Sequence, residues 1–205
     1  GVFSGTENGF ELERTPTRSE ILVMIIRLLG KEKEALSASY THPFIDTDWD
    51  EPYVSYGYNN NIIKGLSDNS FGGGRGSSLN QYCAMLLRVL GYTESSGSFT
   101  YENAVSFASL ALGEEITDSE IFNRGKMAEL TCYALNTRKN GSGLTLGQAL
   151  VNEGIFSSQM LTSAQRCWEQ NTDYSSTTVL IYTVGSDLES QQGRLSNDLK
   201  EILRA

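Results

Sequence analysis

The sequence predicts a mainly α chain built from copies of one helical unit. Two stretches about sixty residues apart run through the same features: Gly1-Val2-Phe3-Ser4-Gly5 to Arg27-Leu28-Leu29-Gly30, and Asn61-Ile62-Ile63-Lys64-Gly65 to Arg88-Val89-Leu90-Gly91. Each opens on an apolar turn with Gly, passes a loop containing a Phe (Phe10, Phe71), and closes on an amphipathic helix ending Arg-x-Leu-Gly. A worn third copy follows, with a first helix over residues 101–113 and a second over 124–136, where Ala134-Leu135 stands in place of Leu-Leu and Val-Leu. Units that cannot bury their apolar faces singly must stack, and the surfaces between them are where such proteins bind.

Taken in order, residues 19–29 place Ile21, Leu22, Ile25, Ile26, Leu28 and Leu29 on one broad apolar face, and Gly30 stops the helix. Residues 51–60 form an aromatic-rich helix with Pro52 in its first turn, where a missing N–H costs nothing. Asn59-Asn60-Asn61 turns the chain, and Ile62-Ile63 returns to the core. Residues 81–90 repeat the first helix through Met85, Leu86, Val89 and Leu90. An acidic linker at Glu114-Glu115, the helix opened by Arg124, a polar hairpin at Asn140-Gly141-Ser142-Gly143 and a short helix over 146–151 come next. Gly154-Ile155-Phe156-Ser157 echoes Gly1-Val2-Phe3-Ser4, so the short helix reads as a half-unit filling the place of the opening helix that the first copy lacks. The first copy begins in mid-motif at Gly1; either the chain was cut there or a leader and a helix were removed upstream, so localisation is not read from a signal peptide.

The chain has 205 residues, enough for one large or two small domains. Sixteen basic against 25 acidic side chains give a net charge of −9, which argues against nucleic acid as the main partner. The longest apolar runs, residues 21–26 and 179–184, fall far short of the roughly 18 residues of a membrane span. Three cysteines without a C-x-x-C make no disulfide framework. Cys83 and Cys132 sit in apolar helical stretches as packing residues, and Cys167 beside Trp168 has no nearby His to make it a nucleophile.

Thr17-Arg18-Ser19-Glu20 reads as a capping box, in which Thr17 and Glu20 satisfy each other's backbone N–H groups; Ser78-Leu79-Asn80-Gln81 preserves it through Ser78 and Gln81. Capping leaves Arg18 unexplained, because a cation in the first turn opposes the helix dipole. Its role is open between a structural carboxylate partner and an anionic ligand, as is that of Arg124 in the third copy; the second copy has Leu79 there. Phe71-Gly72-Gly73-Gly74-Arg75-Gly76 lacks the Gly-Lys-Ser/Thr ending and the preceding strand of a phosphate loop, and reads as a flexible connection. His42 is the single histidine, with no second ligand at metal spacing. Asp46, Asp48 and Asp50 alternate without completing a calcium loop, and Asp48 or Asp50 is expected to cap the helix beside Trp49. No catalytic constellation, metal site or cofactor is predicted.

These residues together resemble S-layer homology domains, the wall-anchoring modules of bacterial surface proteins. The family's repeat reads Phe-x-Asp, Trp, Tyr-Val, Gly-Ile-Ile-x-Gly, a Phe-containing loop, Thr-Arg-x-Glu and Arg-x-Leu-Gly. The second copy carries Phe44-Ile45-Asp46, Trp49, Tyr53-Val54, Ile62-Ile63-Lys64-Gly65, Phe71 and Arg88 to Gly91; the first carries Phe10, Thr17-Arg18-Ser19-Glu20 and Arg27 to Gly30. The resemblance covers about residues 1–157 and implies three repeats in a pseudo-threefold helical spindle, extracellular at the bacterial wall, whose grooves bind pyruvylated or otherwise anionic cell-wall polysaccharide. It further implies that Arg18 and Arg124 pair with glycan carboxylates while Asp46, Trp49, Tyr53 and Gly65 shape or line a groove. Leu79 departs from the pattern and implies a degenerate groove. The expected divisions are a first repeat over 1–40, a second over 41–95, a divergent third with its extra helix over 96–169, and a linker over 170–177.

Beyond the linker, residues 178–184 are β-branched and apolar on both faces, as in a buried parallel strand, and 195–203 form an amphipathic helix. This strand and helix resemble the opening of a clostripain-like cysteine peptidase domain over 178–205; the His and Cys of that family's dyad come later, so no catalytic residue is assigned. A strand with no sheet of its own is expected to be disordered, docked on the helical body, or self-associated through residues 179–184. Two other functions stay open: an accessory region of a surface peptidase, and a protein-interaction scaffold that has lost glycan binding.

Overall fold

The computed structural model describes residues 9–38 and 40–162. The linker, the strand over 179–184, the helix over 195–203 and Cys167 lie outside the described residues, as does the opening turn at residues 1–5.

The fold is mainly α: α1 (Arg18–Leu28), α2 (Glu32–Ser37), α3 (Glu51–Asn59), α4 (Leu79–Val89), α5 (Ala104–Leu112), α6 (Arg124–Asn136) and α7 (Leu146–Asn152), with isolated β-bridges only among the described residues. Helix α1 is apolar nearly all round and correspondingly buried from Ile21 to Ile26. Ile21, Leu22, Ile25 and Ile26 are fully withdrawn from water, each contributing about 1.5–3 kcal/mol relative to exposure. Helix α4 repeats this with Tyr82 through Leu87.

One packing step recurs three times. The second helix of each copy lies against the next opening helix in sequence: α1 on α3, α4 on α5, α6 on α7. The third instance gives α7 the position of an opening helix, and Ile155 just beyond it seats against Gly30 at the end of α1. The turns after α3 and α7 are built alike: Ile62 N–H donates to Gly57 O at 2.8 Å and Ile155 N–H to Leu150 O at 2.9 Å.

The loops tie the copies together at helix starts. Arg18 N–H and Ser19 N–H, which lack intrahelical acceptors, donate to Arg75 O and Gly73 O at 3.0 Å each. Arg124 N–H and Gly125 N–H donate in the same way to Arg14 O at 3.0 Å and Leu12 O at 2.9 Å. The ring of Phe122 meets Tyr82 in the first turn of α4 at 5.3 Å between centroids.

These contacts correct two expectations. The Gly-rich segment is braced rather than flexible: Phe71, Gly72 and Gly73 are buried, because the loop supplies the acceptors for α1. At Gly73 the requirement is space, since a Cβ there would lie 2.3 Å from both Asp50 Oδ2 and Ser19 Oγ. Asp50 occupies the N-cap position of α3 without a side-chain cap. Its carboxylate turns inward to accept from the Ser19 hydroxyl and from Asp48 N–H.

Helix α2 is an addition to the elements read from sequence. Its Glu32-Lys33-Glu34-Ala35-Leu36-Ser37 run buries only Ala35, too little for an apolar face to register, and its place depends on packing against α1 and α3.

Candidate functional site

The capping residues set the site's frame. Thr17 and Glu20 exchange hydrogen bonds at 2.7 and 3.3 Å, and Ser78 and Gln81 do so at 3.3 and 3.2 Å. In α6, Asn123 caps alone by accepting from Lys126 N–H at 2.8 Å.

Each cap holds the next side chain in the seam between copies. Arg18 is 4% exposed; its Nε donates to Phe71 O at 2.9 Å, its Nη2 to Lys64 O at 3.0 Å, and its guanidinium carbon lies 4.8 Å from the centroid of the Phe71 ring. Among the described residues no carboxylate forms an ion pair with it. Burial pulls its pKa down to about 10, which still leaves a full charge at neutrality. Arg124, 6% exposed, repeats the geometry with Nε on Phe10 O at 2.9 Å, but the Glu20 carboxylate lies 3.9 Å from its Nη1. Leu79, in the matching place of the second copy, is buried and apolar.

Arg18 opens into a groove of about 500 Å³ that also takes in Lys64, Gly65, Arg88, Glu94 and Tyr101. Gly65 is required by space: a Cβ there would stand 2.3 Å from Ser67 O, 2.9 Å from Ser70 O and 2.5 Å from the Phe44 ring. Asp46 lies behind this turn, accepting from Ser70 Oγ at 2.6 Å, Phe71 N–H at 2.8 Å and Gly72 N–H at 2.9 Å. Burial works against its ionisation, yet these donors outweigh it and hold the carboxyl below its usual range. Asp46 thereby fixes the loop whose Phe71 carbonyl receives Arg18.

Trp49 and Tyr53 lie on a separate chain of contacts. Trp49 is 62% exposed and meets Tyr53 edge-on at 6.5 Å; the Tyr53 hydroxyl donates to Glu32 Oε1 at 2.9 Å, the oxygen that also accepts from Arg27 Nε at 2.8 Å. The structure thus brings Arg18 and Gly65 together, with Asp46 as their brace, and places Tyr53, with Trp49 at its edge, on the Glu32 carboxylate that also holds Arg27.

Sequence reasoning missed Lys64, Arg88, Glu94 and Tyr101 as groove residues. Arg88 and Lys64 were visible only as members of repeated motifs and Tyr101 only as the start of the third copy's first helix, while Glu94 lies between motifs, where nothing local marked it. Burial alone would raise the Glu94 carboxyl, but hydrogen bonds and charge from Arg88, with Lys64 adding its own, hold it at about 2.

The third copy's corresponding wall is acidic. Glu114, Glu115, Glu120 and Glu129 surround Lys126 in a cavity of about 460 Å³, and Lys126 is paired with both Glu120 and Glu129. Elsewhere His42 accepts from Phe44 N–H at 3.1 Å and contacts Glu51 at 2.9 Å. Burial pushes the Cys83 and Cys132 thiols up to about 12 each. Among the described residues no helix is long and apolar enough to cross a membrane, and no group of His, Cys, Asp and Glu could hold a metal ion.

The chain is similar over part of its length to two cell-surface proteins. It is 30% identical over 122 residues to the middle cell wall protein of Brevibacillus brevis, covering 57% of this chain and 12% of that protein. It is 32% identical over 99 residues to the surface layer protein of Brevibacillus choshinensis, covering 46% of this chain and 9% of that protein. The chain therefore spans about a tenth of the length of these curated relatives. No family model and no solved structure matches it.

Proposed function

We propose that this chain is a non-catalytic, cell-surface anchoring module that holds an anionic wall polysaccharide in the groove at Arg18. The observation that carries the reading is Arg18 itself: a buried cation fixed by two carbonyls, with no carboxylate partner among the described residues, opening into a groove wide enough for sugar units. Its planar fork suits a carboxylate, and a buried charge gains most when a ligand completes its pairing. Tyr101 adds an exposed ring at the rim. Arg124, with Trp49 and Tyr53, belongs to a second groove in this proposal, weakened by the charge of Glu20; Leu79 gives the second copy no cation at the matching position. The relatives named for the cell wall and the surface layer support the location, and the resemblance to S-layer homology repeats supports the ligand class. The buried thiols, held well above neutrality, favour binding over nucleophilic chemistry in the described residues. The clostripain-like resemblance of the tail enters only as the start of a neighbouring domain.

Co-sedimentation with Gram-positive cell walls, before and after their secondary polysaccharide is stripped, tests the reading. Binding that disappears on stripping and weakens in both Arg18→Ala and Tyr101→Ala supports it; Tyr101→Ala guards against mere unfolding, because that side chain is exposed. Equal sedimentation with stripped and intact walls, or none with either, rejects it.

A further inference from the structure

The groove is not uniformly basic. Arg18 makes no ion pair with a carboxylate among the described residues, although Glu102 also lines the groove. Glu94, by contrast, engages both other cations of the lining: Oε1 accepts from Arg88 Nη2 at 2.6 Å and lies 3.1 Å from Lys64 Nζ, and Oε2 accepts from Arg88 Nε at 3.3 Å. The last arm of Arg88 is spent on Ile62 O at 3.1 Å. A carboxylate oxygen offers two lone pairs, so Oε2, with one donor, has room for another.

We infer that Glu94 is a specificity-determining residue: it fills the Arg88–Lys64 end of the groove from within, so that a ligand enters with its acid group at Arg18 and neutral hydroxyls toward Glu94. A second acid group at that end meets a fixed like charge beside cations that are already paired, and is refused by repulsion rather than by shape. The inference rests on the glycan-binding reading above and adds the ligand's charge and its direction in the groove.

The test is a titration of the isotopically labelled chain with two probes, glucuronate carrying one carboxylate and glucarate carrying one at each end of the sugar chain. The readouts are the Arg18 and Arg88 Nε resonances, in the parent and in Glu94→Gln. In the parent, glucuronate moves Arg18 Nε and leaves Arg88 Nε in place, and glucarate binds more weakly. In Glu94→Gln the order reverses, with glucarate tightened by about tenfold, the worth of one charge-assisted hydrogen bond; Glu94→Asp keeps the parent's order. Equal movement of Arg88 and Arg18 in the parent, a readout needing no variant, means that the ligand displaces Glu94 and overturns the inference. An unchanged order in Glu94→Gln overturns it as well. Both of those failures leave groove binding standing. No shift at Arg18 with either probe, in parent and variant alike, removes the binding reading and the inference together.

Discussion

The Nε of Arg124 donates to the carbonyl of Phe10 at 2.9 Å across 114 positions of sequence, the same bond at the same length that Arg18 makes with Phe71. Both arginines are buried and both close a seam between copies, so each has a structural duty separate from any ligand. Arg124→Ala removes the guanidinium that donates to the Phe10 carbonyl, while Glu20 keeps its two bonds from Arg14 at 2.6 and 2.9 Å, and should lower the free energy of unfolding in urea by about 1–3 kcal/mol. Arg124→Lys should recover little, since one ammonium cannot reproduce the guanidinium fork. An unfolding midpoint equal to the parent's would mean that this seam contributes nothing.

Gly65→Ala should destabilise the turn beneath the groove, because the added methyl meets the backbone oxygens of Ser67 and Ser70, which a rotamer change cannot relieve. A loss of about 1–3 kcal/mol is expected, as for overpacking elsewhere. Gly74→Ala, with open space around its Cβ, is the matched control and should unfold with the parent.

Acid stability should report on Glu94. Its carboxyl is held at about 2 in the folded chain against an ordinary 4.5, so its contribution is present above the ordinary value and is lost as pH falls from about 4.5 through about 2. Other carboxyls are depressed too, among them Glu20, Glu32 and Asp46, so the parent's melting temperature falls over this window for several reasons. The difference between parent and Glu94→Gln isolates this one: it should be largest near neutrality and shrink toward pH 2. A difference that is constant with pH would rule out the ion-pair origin.

Cys83 and Cys132 should resist thiol reagents in the folded chain at neutral pH, since both are buried and their thiolates disfavoured. Mass spectrometry after labelling should find these two sites modified only once denaturant passes the unfolding midpoint. Rapid native labelling of either would contradict the packing described for α4 and α6.

Tyr82→Phe removes a buried hydroxyl that bonds Thr131 at 2.6 Å and Met127 O at 3.2 Å. Thr131 keeps its own bond to Met127 O, so the loss should be about 0.5–1.5 kcal/mol rather than that of a stranded polar group.

What could be read from sequence followed the range of the interactions. The caps of α1 and α4 are contained within four consecutive residues, so Thr17, Glu20, Ser78 and Gln81 announced themselves. Arg18 declared itself as an anomaly, a cation where the helix dipole disfavours one, but its acceptors at Phe71 and Lys64 lie in another copy and left no local trace. Asp50 sat at a helix start and read as a cap, because its partner Ser19 is 31 positions away and a cap needs no such partner. The same limit made the Gly-rich loop look unrestrained. Its order comes from the helix it serves.

At two of the three seams the ties at the helix starts run from backbone to backbone, through the carbonyls of Gly73 and Arg75 and of Leu12 and Arg14. Such ties survive a change of side chain, and at the adjoining position the copies differ: arginine at 18 and 124, a buried leucine at 79. Under the anchoring proposal, the number of seams offering a buried guanidinium changes with this one position, and each change also gives up or gains a bond to a loop carbonyl. Valency and seam stability are then coupled through the same residue.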